Sequence, residues 1–254
     1  MTIESLEQTT SIVVSAHRGY KSDYPENTLL AFAEALKLGV EMLEFDLHMT
    51  KDGTVVVIHD KTVDRTTNGT GAVSGFTLEE IKRLDAGSWF GKPFAGLQIP
   101  TLAELCDLLA EYPAVLLNVE VKSGPRAKEV ADAAIAMLRQ YNCLERCVFT
   151  CFDADIIAYF NDKHSVKTQG FPGDVMSNFQ AGEQGTYSKM WAIGLEMSRM
   201  TPQIVKEYRA MGLQVWCYCP DTVQQVYYAL GCGSTVMTCN NPLPALKLRE
   251  LLIV

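Results

Sequence analysis

Stretches with the pattern of buried strands alternate with stretches of helical pattern along almost the whole of this 254-residue chain. The first helical stretch, Asn27–Leu38, repeats apolar residues at i, i+3, i+4 and i+7 and stops at Gly39. Such alternation is typical of α/β folds, in which helices cover a largely parallel sheet. The predicted strands are Ser11–Ala16, Glu41–Leu47, Thr54–His59, Val115–Lys122, Arg146–Cys151, Val166–Gly170, Met190–Glu196, Leu213–Cys219 and Ser234–Thr238.

One apolar run does not fit the alternation. Only residues 48–53, which contain the turn signal Thr50-Lys51-Asp52-Gly53, separate Thr54–His59 from the strand before it, whereas a parallel neighbour would require a crossover of about a dozen residues. We therefore expect Thr54–His59 to return antiparallel, as the arm of a hairpin. It belongs to a turn-rich insertion at about 51–100, in which a capping box at Thr77 predicts a short helix.

The other eight predicted strands are each followed by a predicted helix. Eight alternations in about 250 residues predict a (β/α)8 TIM barrel, with a doubly wound open sheet as the alternative. We expect residues 1–254 to form one barrel domain, with the insertion after its second strand. The later predicted helices are one from the Thr101 capping box, Arg126–Gln140, Ala154–Phe160, an irregular stretch near 174–189, 201–212, Thr222–Leu230 and Leu243–Leu252.

Charge and composition limit the classes of partner. The chain has 22 Lys and Arg against 30 Asp and Glu, a net charge of −8, whereas nucleic acids and anionic membranes need a cationic face. No apolar run approaches the roughly 18 residues that would span a bilayer, so we expect no membrane insertion. The N-terminus lacks a secretory signal, and eight cysteines lie scattered, several of them in apolar runs. This pattern favours a cytoplasmic location, although a processed secreted chain would also lack its signal.

Acidic side chains lie inside two otherwise apolar strands. Glu44 and Asp46 are two residues apart, as are Glu120 and Lys122, so each pair points to one side of its strand. Catalytic residues of a barrel collect at the carboxyl ends of its strands, and buried carboxylates are costly unless their charge is compensated. A hard divalent cation, Mg²⁺ or Ca²⁺, would compensate three converging carboxylates. A buried salt bridge, such as Glu120 with Lys122, is the alternative for either pair taken alone.

Two of the four histidines lie at the ends of predicted strands: His17 follows the first, and His59 ends the hairpin arm. Imidazoles on either side of a metal can act as general acid and general base near neutral pH. We expect His48 to support the hairpin rather than to touch the site. We expect His164 to be a solvated surface residue.

These residues fall within an ordered set of motifs. Over residues 12–122 their order and spacing closely resemble the glycerophosphodiester phosphodiesterase family, and a weaker match continues to the C-terminus. Each motif alone is weak, but the ordered set is specific. The motifs are His17-Arg18-Gly19, Pro25-Glu26-Asn27-Thr28, Glu44-Phe45-Asp46, Thr50-Lys51-Asp52-Gly53, His59-Asp60, Asp64-Arg65-Thr66-Thr67-Asn68-Gly69-Thr70-Gly71, Ile99-Pro100-Thr101-Leu102 and Glu120-Val121-Lys122.

The resemblance implies a TIM-barrel enzyme that hydrolyses a small-molecule glycerophosphodiester to an alcohol and sn-glycerol 3-phosphate, with a divalent metal as cofactor. It also implies that Arg18 and Lys122 contact the phosphate. The implied metal ligands are Glu44, Asp46 and Glu120, and the implied acid–base pair is His17 and His59.

The C-terminal half departs from the family pattern. The family commonly has Trp-Thr-x-Asn where this chain has Trp216-Cys217-Tyr218-Cys219, and Thr-Asp-x-Pro where it has Thr238-Cys239-Asn240-Asn241-Pro242. We expect an altered pocket for the alcohol end of the substrate, with the chemistry retained. Trp216 either stacks on the glycerol backbone or packs inside the barrel.

Three further questions stay open at the level of sequence. The same site would suit a lysophospholipase D-like or phosphoinositide phospholipase C-like phosphodiesterase. A non-catalytic polyol-phosphate binding protein on the same barrel is the alternative from another class, although all five residues of the implied metal site and acid–base pair are present. The chain is also compatible with a homo-oligomer.

Overall fold

Nine strands form one sheet in the computed structural model, which describes residues 2–252. Eight of them are parallel and form a closed ring, because β1 pairs with β9 on one side and with β2 on the other. The closed ring confirms the predicted (β/α)8 barrel rather than the open sheet. The strands are β1 (Val13–His17), β2 (Met42–Met49), β3 (Val55–Val57), β4 (Leu116–Val121), β5 (Cys147–Thr150), β6 (Thr168–Gly170), β7 (Ala192–Glu196), β8 (Gln214–Tyr218) and β9 (Val236–Cys239).

The helices cover the outside of the barrel, where their apolar faces pack against the outward side chains of the strands. Among residues 2–252, no helix is both long and apolar enough to cross a bilayer. The helices are α1 (Leu29–Lys37), α2 (Leu78–Ile81), α3 (Leu102–Leu109), α4 (Ala127–Gln140), α5 (Ala154–Tyr159), α6 (Pro202–Ala210), α7 (Val223–Cys232) and α8 (Leu243–Leu252).

β3 is the antiparallel arm that the short turn requires. It pairs with the end of β2, with Leu47 opposite Val57 and Met49 opposite Val55. The chain between β2 and α3 forms an insertion that holds α2, which begins at the Thr77 capping box. The insertion has its own apolar cluster, made of Val56, Ile58, Val63, Val73, Ile81, Ala86 and Ile99.

The connection from β6 to β7 differs from the prediction. A helical stretch was expected near 174–189, but the structure forms only a 3₁₀ turn there, Thr186–Lys189. Gly182 has a φ of +104°, in the left-handed region that interrupts a helix. Thr186 then closes a loop on Gln180, with Thr186 N 2.8 Å from the Gln180 carbonyl oxygen and Gln180 N 2.9 Å from Thr186 Oγ1. Hydrogen bonds within the loop therefore satisfy backbone groups that the hydrogen bonds of a helix would otherwise have satisfied.

Side chains inside the barrel lie in layers. The layer at the amino-terminal ends of the strands is apolar, and Ile3 and Leu6 cover it from below. Above it lies a polar layer, in which Asn118 Nδ2 donates to Gln169 Oε1 at 3.0 Å and Thr150 donates to Asn118 Oδ1. Because side chains alternate along a strand, the acidic residues of β2 and β4 point inward at and above this layer, toward the carboxyl ends of the strands.

Candidate active site

The turn that follows β1 places Arg18 over the mouth of the barrel. Arg18 has a φ of +56°, which costs of the order of 1–3 kcal/mol for a residue other than glycine. Three hydrogen bonds hold it there: Arg18 N donates to the carbonyl oxygen and to Oε2 of Glu44, at 3.0 and 2.9 Å, and its carbonyl oxygen accepts from Asn27 N at 2.9 Å. Gly19 follows at φ +80°, and a Cβ there would lie 2.6 Å from the backbone of Ala31.

Three buried carboxylates converge at the barrel mouth. Glu44, Asp46 and Glu120 each offer an oxygen atom, and these atoms lie within 4.8 Å of one another. The register of the sheet explains the convergence, because Asp46 of β2 is paired with Glu120 of β4. The structure therefore brings together the three residues that the sequence pattern proposed as metal ligands.

The two predicted phosphate contacts lie among these carboxylates. Arg18 Nε is 3.3 Å from Asp46 Oδ2, and Lys122 Nζ is 3.2 Å from Asp46 Oδ1. Lys122 also donates to Glu120, which is the salt bridge that the sequence allowed. Asp46 receives a further hydrogen bond from Asn27 Nδ2 at 2.8 Å, so this carboxylate is the most extensively paired of the three.

The acidity of the three carboxyl groups follows from these contacts. Burial, together with the charges of Asp46 and Glu120, raises the pKa of Glu44 well above its usual range. Burial and Asp46 likewise raise the pKa of Glu120. Burial acts in the same direction on Asp46, but Lys122 and Arg18 outweigh it and hold the pKa of Asp46 below its usual value. A divalent cation would relieve the repulsion that raises the pKa of two of these groups.

His17 and His59 both line the cavity above the carboxylates, which has a volume of about 140 Å³. His17 Nδ1 is 2.7 Å from Asn240 Oδ1, and its Nε2 is 3.8 Å from Glu44 Oε2. Burial, with the charges of Lys21 and Arg18, lowers the pKa of His17 to about 3, so its ring is neutral near pH 7.

His59 is held from the insertion. Its Nδ1 is 2.6 Å from Asp60 Oδ1, and Arg65 Nε donates to Asp60 Oδ2 at 2.7 Å. Arg65 also donates to Glu26 through both terminal nitrogens, at 3.0 and 2.8 Å. Glu26 lies in the loop after β1 and accepts from Arg18 Nη1 at 2.9 Å. These charged pairs connect His59 to the barrel loop that carries Arg18. Burial lowers the pKa of His59.

The other two histidines lie apart from this cavity wall. His48 Nε2 is 3.2 Å from the carbonyl oxygen of His59, a contact by which it supports the hairpin. His164 is half-buried, with its Nε2 2.8 Å from Asp132 Oδ1. The expectation that His164 is a solvated surface residue was therefore wrong, because Asp132 of α4 holds its ring.

Aromatic side chains form the opposite wall of the cavity. Phe152 and Phe171 stack with ring centroids 3.6 Å apart, and Tyr218 meets Phe171 edge-on at 5.8 Å. A second, open cavity of about 730 Å³ shares His17 and Tyr218 with the first. The site therefore offers a charged side for a phosphate and a wider space into which the rest of a substrate can extend.

Trp216 does not reach the cavity. It is only 2% exposed and lies in the apolar bottom layer of the barrel, where it meets Trp191 edge-on at 5.8 Å. Side chains alternate along β8, so Tyr218 is the next residue on the same face, and it lies one layer higher, beside the cavity. Of the two roles left open for Trp216, barrel packing is the one that fits these contacts, and contact with substrate does not.

Trp216→Ala is expected to lower the free energy of unfolding by about 3–5 kcal/mol, because it leaves a cavity in a closed apolar layer. Urea denaturation measures the loss of stability. The KM for a glycerophosphodiester, measured at urea concentrations below the unfolding transition, should be unchanged. Trp89→Ala is the matched control, because Trp89 is 39% exposed and should cost far less stability. A raised KM in Trp216→Ala would contradict this placement.

Several residues of the site were not assigned a role from sequence. Glu26, Asn27, Asp60 and Arg65 lie inside the motifs quoted above, but they act on other site residues, and a linear pattern does not show such pairings. The residues of the aromatic wall gave weaker signals still. The one available signal is position, because Phe152, Phe171 and Tyr218 each lie at or just beyond the end of a predicted strand, as barrel site residues do.

Comparisons with known proteins agree with this geometry. Residues 17–243 match the model of the Glycerophosphoryl diester phosphodiesterase family. A glycerophosphodiester phosphodiesterase of Caldanaerobacter subterraneus subsp. tengcongensis is 49% identical over 142 residues, which cover 56% of this chain and 58% of that protein. The chain spans about half to three-fifths of the length of this relative and of three other relatives, which are from Bacillus.

Solved structures extend the likeness to the whole barrel. A putative glycerophosphoryl diester phosphodiesterase from Silicibacter pomeroyi has a TM-score of 0.86 at 26% identity, covering 99% of this chain and 97% of that one. An Oleispira antarctica phosphodiesterase, solved in complex with the product sn-glycerol-3-phosphate, has a TM-score of 0.84 at 25% identity, covering 96% and 98%. With the family model matching most of its length, this chain belongs to the glycerophosphoryl diester phosphodiesterase family.

Proposed function

We propose that this chain is a metal-dependent phosphodiesterase that hydrolyses glycerophosphodiesters to an alcohol and sn-glycerol 3-phosphate. The observation that carries the proposal is one cavity lined by two imidazoles, two buried carboxylates and Arg18. Asp46 and Lys122 form ion pairs with these cavity residues, and Asp46 completes the group of three carboxylates. Family membership supports the substrate class, as does the product bound by the Oleispira antarctica relative.

Glu44, Asp46 and Glu120 would hold the metal. Their donor set fits a hard divalent cation, because all three ligands are carboxylate oxygens. Burial and repulsion raise the pKa of Glu44 and Glu120, so these groups gain from a cation that keeps them ionised. We take the ion to be Mg²⁺ or Ca²⁺, and when bound it supplies positive charge to the phosphate oxygens as a Lewis acid.

Charge balance at the cavity favours the same function. When all three carboxylates are ionised, they and the two cations, Arg18 and Lys122, leave one net negative charge. A divalent ion changes this to one net positive charge, which complements the single negative charge of a phosphodiester. Arg18 would present planar donors to the phosphate and Lys122 a compact ammonium charge.

Hydrolysis requires one proton to be removed and one to be supplied. A base takes a proton from water as the water oxygen bonds to phosphorus, and an acid protonates the alcohol oxygen as its bond to phosphorus breaks. His17 and His59 would perform these steps. The Nδ1 atom of His17 contacts Asn240, and that of His59 contacts Asp60, so Nε2 of each ring is left for the substrate.

The 2-hydroxyl of the substrate is a second candidate nucleophile for the same groups, through a cyclic phosphate. A 2-deoxy substrate separates the two routes. Undiminished hydrolysis of that substrate supports water as the nucleophile. Complete loss of hydrolysis, or a cyclic intermediate seen by phosphorus NMR, supports the 2-hydroxyl.

The proposed function is tested by glycerol 3-phosphate release from glycerophosphodiesters of choline, ethanolamine, glycerol and inositol, with choline release from a lysophosphatidylcholine measured in parallel. We expect release from at least one glycerophosphodiester and none after chelation. Turnover of the lysophospholipid alone would reassign the substrate class. Tight binding without turnover, measured by calorimetry, would support a binding protein instead.

A further inference from the structure

A line of polar side chains approaches His17 from the side opposite Glu44. His17 Nδ1 is 2.7 Å from Asn240 Oδ1, and Asn240 Nδ2 is 2.6 Å from Asp221 Oδ2. Asp221 Oδ1 also accepts the backbone N–H groups of Asn240 and Asn241, at 2.7 and 3.0 Å. Asp221 thus fixes both the backbone and the side chain of Asn240. The three side chains come from the ends of β1 and β9 and from the loop after β8.

The orientation of the Asn240 amide follows from its donors and acceptors. An ionised carboxylate can only accept hydrogen bonds, so the amide nitrogen faces Asp221. The reverse orientation would place the amide oxygen 2.6 Å from a carboxylate oxygen, with no hydrogen between them. The amide oxygen therefore faces His17. Because that oxygen can only accept, the hydrogen in this contact belongs to His17 Nδ1.

We propose that Asn240, held by Asp221, is a positioning residue that fixes His17 in the Nδ1–H tautomer. A neutral imidazole carries one N–H, so His17 Nε2 keeps its lone pair on the side of Glu44, from which it is separated by 3.8 Å. The ring then presents a proton acceptor to the cavity. The inference rests on the proposed role of His17 in proton transfer.

Cys219 competes for the same nitrogen. Its Sγ lies 3.4 Å from His17 Nδ1, and a thiol can donate its hydrogen to an unprotonated Nδ1. The contact with Asn240 is shorter, at 2.7 Å, and a thiol is only a weak donor, so the contact with Asn240 decides the tautomer as long as Asn240 is present. Without Asn240, Cys219 becomes the polar neighbour of Nδ1 and favours the opposite tautomer, with the hydrogen on Nε2.

Imidazole NMR tests the assignment on protein labelled with ¹⁵N-histidine and loaded with Mg²⁺. The chain has only four histidines, and His17→Gln identifies the His17 signals. We expect the Nδ1–H tautomer for His17 in the parent protein and a shift toward Nε2–H in Asn240→Leu. In the same variant, kcat should fall about 10²-fold with KM nearly unchanged, because the acceptor atom is lost while phosphate binding remains.

Two further variants separate positioning from general damage to the fold. The exchange variant, Asp221→Asn with Asn240→Asp, returns an oxygen acceptor to His17 and should recover the Nδ1–H tautomer and most of kcat. Asn241→Ala is the matched control, because Asn241 caps α8 through Leu243 N at 3.1 Å and does not touch His17. It should leave both the tautomer and kcat unchanged.

Three results would overturn the inference. They are an Nε2–H tautomer of His17 in the parent protein, an Asn240→Leu protein with normal kcat and an unshifted tautomer, and an Asn241→Ala protein that behaves like Asn240→Leu. The NMR experiment needs no substrate. A parent protein without turnover would therefore refute the proposed function, while the tautomer could still be determined.

Discussion

His17→Ala and His59→Ala are each expected to lower kcat/KM for a glycerophosphodiester by about 10²–10⁴-fold, the usual effect of removing a general acid or base. This corresponds to about 3–5 kcal/mol of transition-state stabilisation. Metal binding should persist in both variants, because neither ring is among the three carboxylate ligands. Steady-state kinetics at saturating Mg²⁺, with calorimetry of metal binding, measures both effects.

A change of leaving group tells the acid from the base. The alkoxide of choline or glycerol needs a proton as it leaves, whereas p-nitrophenolate does not. The variant that lacks the general acid should therefore recover most of its rate on a p-nitrophenyl phosphodiester, and the variant that lacks the base should not. His164→Ala is the matched control, because that ring binds Asp132 and lies outside the cavity. Near-normal turnover by His17→Ala or His59→Ala would refute the acid–base assignment.

Removal of the metal is expected to abolish activity, and either Mg²⁺ or Ca²⁺ should restore it. The bound ion should also stabilise the fold, by about 2.7 kcal/mol at a free concentration one hundred times its Kd. A thermal melt with and without the ion measures this stabilisation independently of turnover. Full activity in excess chelator would refute the proposed cofactor.

Glu44→Gln separates metal binding from folding. The folded protein raises the pKa of Glu44, through burial and through repulsion by Asp46 and Glu120. In the metal-free protein, Glu44 therefore lowers the stability of the fold as pH rises from the ordinary pKa of a glutamate to the raised value, and this stability returns as pH falls back through the same window. At neutral pH, metal-free Glu44→Gln should be at least as stable as the metal-free parent protein. The metal ion should no longer stabilise this variant.

The glutamine side chain of Glu44→Gln keeps one contact of the parent protein, because its amide oxygen can still accept from Arg18 N. Glu79→Gln is the matched control, since that carboxylate is exposed and pairs only with Arg83 among residues 2–252. A Glu44→Gln protein that keeps the full metal-dependent rise in melting temperature would contradict the ligand assignment.

Much of this site is predictable from sequence because strand periodicity fixes which side chains share a face. Glu44 and Asp46 point to one side of β2 for the same reason that Glu120 and Lys122 point to one side of β4. Barrel closure then brings the two strands together. The hairpin was predictable because six residues, 48–53, cannot make a parallel crossover. These inferences need only spacing and chain length.

The remaining residues depend on loop conformation, which spacing does not determine. Asn27 reaches Asp46 from a loop position with a φ of +55°. Arg65 bonds to Glu26 across 39 residues. Trp216 lies at the bottom of the barrel because β8 has two inward positions at different depths, and residue type alone did not show which one faces a ligand. The β6–β7 loop was wrongly predicted as helical, since hydrogen bonds between Thr186 and Gln180 replace a helical turn.

Because His59 belongs to the insertion and His17 to the barrel, the two proposed proton-transfer residues lie in parts of the fold with separate apolar clusters. Arg65 joins the two parts by donating to Asp60 of the insertion and to Glu26 of the barrel loop, and its side chain is 43% exposed. If the contacts of Arg65 open by local unfolding, the three carboxylates and His17 stay together in the barrel while His59 moves away with the insertion. Under the proposed function, such an opening would interrupt turnover without releasing the ion, so activity would be lost under milder conditions than those that unfold the barrel.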